Sequence, residues 1–201
     1  MKGLLLKDLF SVRHYALWYA VVTVACFIVS VFTENVSFMF GLQLFITMSS
    51  SMVTISADEK DSWTKYALSC GLTARTIVAS KYIIAIVAAL VTCGFSIAAS
   101  ALISTEMSAN ILPLFVFTSV TMFAVAIVIP LAYRFGTEKS RLVFTVCVLL
   151  CMVAAIAIGS LLDIGAFSAP LPVYVALPIA WVAALVLSWT VSEKIVADKN
   201  Y

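Results

Sequence analysis

Five cysteines, one histidine and ten carboxylates are the groups in this 201-residue sequence that could bind a metal, close a disulfide or move a proton. Their spacing argues against all three. Cys26, Cys70, Cys93, Cys147 and Cys151 form no Cys-x-x-Cys pair, and no His/Cys cluster accompanies them. Neither a disulfide framework nor a zinc site is expected, and cysteines inside apolar stretches read as small hydrophobes. His14 stands alone at the edge of an apolar run, where an interfacial residue is a simpler reading than a ligand or a base. The segment 136–140, GTEKS, is the nearest approach to a phosphate loop. It lacks the G-x-x-x-x-G-K-[ST] spacing that lets backbone amides cradle phosphates, and no H-E-x-x-H is present. A serine protease working inside a bilayer needs a histidine beside its serine, and no apolar stretch holds one. The sequence therefore reads as a chain with no catalytic residue, cofactor or metal of its own.

What remains is architecture. The hydrophobic fraction is 64% and the charged fraction 11%, against about 45–50% and about 25% in soluble domains. A helix needs about 20 apolar residues to cross a bilayer. Six charge-free stretches qualify, at 15–33, 36–57, 82–103, 111–133, 142–162 and 171–191. The expectation is an all-α polytopic membrane protein forming one transmembrane domain over residues 1–201. All twelve Lys and Arg fall on one side of this six-span arrangement: in the N-terminal segment, in the loops 58–81 and 134–141, and at the C-terminus. The opposite turns hold Glu34, Glu106 and Asp163. Basic residues in short loops mark the cytoplasm, so both termini are expected inside. A net charge of +2 offers no case for nucleic acid.

Three segments stand out within that frame. Residues 2–13 place Leu5, Leu6, Leu9 and Phe10 on one helical face beside Lys2 and Lys7. This pattern suits an amphipathic helix lying in the headgroup region; a plain extension of the first span is the other reading. At the start of the polar segment 58–81, Ser56 and Glu59 fit a capping box that would open a helix. Trp63, Tyr66, Ala67 and Cys70 share a face, Gly71 suits a helix stop, and Thr73 suits a cap for a helix that carries Arg75 into the third span. The second span bears Gln43, Thr47, Ser51 and Thr54 on one face. Close helix packing explains such a stripe; a translocation path or subunit interface is the alternative. Ala85, Ala89, Thr92, Ser96 and Ser100 form a similar narrow face in the third span.

The opening Met1 to Phe10, MKGLLLKDLF, resembles the start of small bacterial type-2 ABC exporter permeases. So does the run Asp58, Glu59, Trp63, Tyr66, Leu68, Ser69, followed by Arg75, Ile77, Val78 and Ser80-Lys81-Tyr82. The likeness covers essentially the whole chain and is nearest to half-size permeases that expel amphipathic toxins or lantibiotics from Gram-positive bacteria. It implies a multi-pass protein of the bacterial cell membrane, surrounded by lipid and paired with a second permease subunit, identical or not. Separate ABC ATPase subunits, which carry the ATP and Mg, would dock on the cytoplasmic side. The loop carrying Asp58, Glu59, Trp63, Tyr66 and Arg75 would be the coupling helix. Asp163, Pro170 and Pro172 would fall in the extracellular gate. Relatives often place a proline shortly before the arginine; here the run is Cys70-Gly-Leu-Thr-Ala-Arg75, so the turn is made differently.

Two other functions fit a six-span chain of this size. One is the substrate-capturing membrane subunit of a vitamin uptake system. The other is a non-transporting assembly or regulatory protein. The outer turns are minimal and the elaborated loop lies on the basic side, which favours the exporter.

Overall fold

The computed structural model describes residues 2–34, 36–103, 107–137 and 171–198, with positions 139, 142, 145, 146, 149, 150 and 153 between them. Six helices appear among the described residues: α1 (Lys2–Phe32), α2 (Ser37–Lys60), α3 (Trp63–Ser69), α4 (Ala74–Ile103), α5 (Met107–Phe135) and α6 (Leu171–Asp198). Five of them contain stretches long and apolar enough to cross a membrane: Tyr15–Phe32, Phe38–Lys60, Ala74–Ile103, Leu114–Phe135 and Leu177–Asp198. In lipid every backbone polar group must be satisfied within its own segment, and long helices do that. Most of the expected span at 142–162 lies outside the described residues.

The centre of the bundle is α2. Of its span, 67% is buried, against 11% for α1. It packs on α1, α4 and α5, while α6 packs on α5 and α4. One core cluster joins Leu44, Met48 and Met52 of α2 to Tyr82 and Ala85 of α4, Val125 and Ile129 of α5, and Val196 of α6. A second joins Met39, Phe40 and Ile46 of α2 to Ala99 of α4, with Tyr19 and Phe27 of α1 packed against it. The small-residue face expected on α4 is the buried one: Ala85, Ala89, Thr92, Ser96 and Ser100 all turn inward. Without a large Cβ substituent there, the backbones of α2 and α4 come close enough for van der Waals contact to hold them.

Two expectations are corrected. Residues 2–13 form no separate interfacial helix; they are the first three turns of an uninterrupted α1. No glycine or proline follows Gly3 before Phe32, so nothing stops the helix, and Asp8 is fully buried against other helices. The Ser56–Glu59 pair opens no helix either. Both residues lie inside α2, which ends at Lys60. The break comes at Ser62, whose φ of 49° is left-handed, and α3 starts one residue later with no side-chain cap.

Gly71 ends α3 as its position suggested. Its φ is +84°, a conformation open to glycine at little cost. The Leu72 N–H donates to the Ala67 carbonyl and the Gly71 N–H to the Leu68 carbonyl, the paired bonds of a Schellman stop. The Thr73 hydroxyl meets the Thr76 hydroxyl at 2.7 Å, and the Thr73 carbonyl accepts the first backbone bonds of α4.

Candidate functional site

The polar residues of the chain converge at the end of the bundle where α2, α3 and α4 meet. Four charges are packed together there. Lys81, from the second turn of α4, is fully buried, at 0% exposure, and so is Asp8 of α1. Its ammonium reaches Asp8 Oδ1 at 2.7 Å, Asp58 Oδ2 at 2.6 Å and the Thr54 carbonyl at 3.4 Å. Three donors and three acceptors account for the whole ammonium group. Lys7 pairs with Asp58 Oδ1 and lies 3.3 Å from Asp8 Oδ1. The Ser80 hydroxyl donates to Asp8 Oδ2 at 2.8 Å. Each of the four carboxylate oxygens thus has a donor.

Two positive and two negative charges cancel. That balance decides whether such a group is tolerable, because an isolated charge taken out of water is far too costly to keep. The pairing is also topologically specific. Neighbouring residues on α1 reach different helices, Lys7 to α2 and Asp8 to α4. The cluster therefore fastens α1 to both elements that flank α3.

Trp63 extends the fastening into α3. Its ring lies under Lys7 Nζ, 4.6 Å from the ring centroid, within reach of a cation–π attraction. Tyr66 lies beside it, ring centroids 5.5 Å apart, yet is 60% exposed. The neighbouring Cys70 side chain hydrogen-bonds the Tyr66 phenol and pushes its ionisation up. Ala67 and Thr64 are the buried residues of α3. The helix thus rests on its 63, 64 and 67 edge and presents Tyr66 outward.

The other residues expected at this site hold different neighbours. Glu59 Oε2 accepts the Thr137 N–H at 2.7 Å, which pins the chain just after α5. Gly136 makes that turn with φ +81°, and a Cβ there would come within 2.9 Å of Glu59 Oε1. Arg75 lies over the Trp189 ring of α6, 5.5 Å from its centroid. Asp58, Glu59, Trp63 and Arg75 thus tie α1, α5 and α6 to the α2–α3–α4 corner; Glu59, Tyr66 and Arg75 are exposed.

Residues 3–197, nearly the entire chain, match the family model described as ABC-2 family transporter protein. The chain belongs to the ABC-2 transporter family. No curated protein and no solved structure matches it. It is therefore a multi-pass ABC-2 permease, a membrane component of an ABC transporter.

In this ABC-2 permease the second-span stripe lies inside the single subunit. Gln43, Thr47, Ser51 and Thr54 are all buried. The Gln43 amide donates to Thr118 of α5 at 3.0 Å, and Ser51 and Thr54 donate to carbonyls of their own helix. The stripe leads down α2 to Thr54 and Asp58, so it is continuous with the charge cluster. Asp163 and Pro170 lie outside the described residues; Pro172 falls in the first turn of α6.

Two features of this permease were not anticipated from sequence. One is the set of partners of Asp58, which come from 51 and 23 positions away. Lys81 carried a signal, since it sits one helical step before Ala85 on the narrow face of α4. The other is a polar knot higher in the bundle. The Tyr82 hydroxyl meets Ser188 Oγ at 2.5 Å and Ser192 Oγ at 3.3 Å, and Ser188 donates to the Ala126 carbonyl. It joins α4, α5 and α6.

Proposed function

We propose that this ABC-2 permease is the membrane half of an ATP-driven exporter that pairs with a second permease subunit and expels amphipathic peptides. A separate ATPase, carrying its own ATP and Mg, docks on α3 from the cytoplasm. The observation that carries this reading is the attachment of α3. It is a short, exposed helix with an aromatic side chain turned outward, yet Lys7 and the buried Lys81–Asp8–Asp58 cluster fasten its surroundings to α1, α2 and α4. A push on α3 is then delivered to three long helices together. Burial of the charges makes the link stiff, because separating them would strand a charge in a low-dielectric setting.

The mechanism is alternating access. Closure of the ATPase pair moves α3, and the helices fastened to it follow as rigid elements. Nucleotide drives the change only through its different affinity for the two states, and that affinity resides in the partner chain. Export of peptides, rather than small polar solutes, is supported by the resemblance to toxin exporters and by spans without charge in their interior. Placement of α3 on the cytoplasmic side rests on the twelve basic residues, all on the same side of the six-span arrangement.

The test is purification of the tagged protein from its own membrane in mild detergent. A soluble P-loop protein is expected at stoichiometric amount. Its absence, where a control ABC transporter stays intact, would refute the reading. High-affinity binding of a vitamin by the isolated chain would refute it as well.

A further inference from the structure

We propose that a groove between α1 and α4 is a binding site for one anionic phospholipid, with its phosphate held by Arg13. The groove encloses about 700 Å³, a volume typical of small-ligand pockets. Its walls are Val12, Ala16 and Val24 of α1 and Val87, Val91 and Phe95 of α4, and its floor includes Ile46 of α2. At the end near α3 it continues along α1 into a smaller hollow of about 290 Å³ beside Phe10 and Arg13.

Length selects the occupant. At 1.5 Å per residue the α4 wall rises about 18 Å from Ile83 to Phe95, and the α1 residues facing it rise about 18 Å from Val12 to Val24, with Leu6 and Leu9 lining the groove below them. One leaflet of a bilayer contributes about 15 Å of hydrocarbon, half the total. The groove therefore suits an acyl chain of a single leaflet. A spanning helix from a second copy would need twice that length.

Charge selects the headgroup. Arg13 is exposed, two residues before the membrane-crossing stretch that starts at Tyr15. Among the described residues no carboxylate forms an ion pair with it; the four ion pairs all belong to the Lys7–Lys81 cluster. Its guanidinium lies over the Phe10 ring, 5.9 Å from the centroid, at the lip of the hollow. A planar guanidinium at headgroup depth above an apolar channel matches a phosphodiester whose acyl chain runs inward. A net negative headgroup adds the attraction of one basic side chain for an anionic surface.

The site is tested with the full-length protein in a neutral maltoside detergent. It is mixed with equimolar phosphatidylglycerol and phosphatidylcholine of identical acyl chains, and retained lipid is read by native mass spectrometry. Phosphatidylglycerol is expected in about fivefold excess, the weight of one basic group near the surface. Arg13→Gln should bring the ratio near one while lipid is still retained. Ala88→Trp, which fills the channel between the two walls, should remove both lipids. A phosphatidylglycerol with a photoactivatable acyl chain gives a readout that needs no variant, and should label peptides carrying Val24, Val87 or Val91. Equal retention of the two lipids by the wild type would overturn the proposal. So would an unchanged ratio in Arg13→Gln, labelling away from the groove, or crosslinks through Val87 between two copies of the chain.

Discussion

Lys81 is the residue on which the α3 end of the bundle depends most. It neutralises two carboxylates from two helices, and its side chain is fully buried from solvent. Lys81→Met leaves Asp8 and Asp58 sharing one partly exposed lysine, at a cost of about 3–5 kcal/mol, the usual figure for breaking a buried pair on one side. A large fall in melting temperature in detergent should report it. Adding Asp8→Asn to Lys81→Met restores charge balance and should recover much of the loss; a double variant as unstable as the single one would show that packing, not charge, sets the cost. Gly136 is the second sensitive position. Gly136→Ala forces a left-handed φ on a residue with a Cβ and presses it on Glu59, and about 1–2 kcal/mol of destabilisation is expected by the same melting assay. Asp58 and Glu59 were legible as residues of a polar corner. Their partners were not, because ion pairs between helices leave no trace in local spacing. Lys2 and Lys7 read as the polar side of a surface helix, whereas Lys7 pairs with Asp58 and its neighbour Asp8 is buried.

At the scale of elements, the faces of α2 and α4 could be read from hydroxyl and small residues at helical spacing, and both are buried as faces. Spacing favoured close packing for Gln43, Thr47, Ser51 and Thr54 over a translocation path or subunit interface, and the four side chains are buried within the subunit. Helix ends were legible only where backbone conformation dictates residue type. Gly71 stops α3 because its φ is positive. The Ser56–Glu59 spacing misled because the same i, i+3 pattern occurs within any continuous helix, and the true break at Ser62 uses a residue with no special left-handed preference. Gly71→Ala is expected to fray α3 at a cost of about 1 kcal/mol, seen as faster proteolysis of the 61–73 segment with the long helices intact. Equal proteolysis would show that α3 is held by Trp63 and Ala67 alone.

For the whole molecule, apolar runs, the partition of charge and the opening motif identified a membrane permease of the ABC-2 type, and the family match over residues 3–197 agrees. The N-terminal segment was the main architectural surprise. Its amphipathic pattern suits either a surface helix or a helix with one side in a bundle, and the deciding contacts of Lys7 and Asp8 are long-range. As a consequence α1 meets α3 directly, through Lys7 over the Trp63 ring. Under the proposed function, force enters the bundle through α3 at Tyr66. The most direct test is ATP-driven uptake of a labelled amphipathic peptide into inside-out vesicles holding the permease and its co-purified ATPase, wild type beside Tyr66→Ala. Tyr66 is exposed, so the variant should reach the membrane in normal amount. Its uptake should fall at least about tenfold, as expected when an aromatic anchor of an interface is removed. Uptake equal to wild type, with ATPase still bound, would contradict the claim.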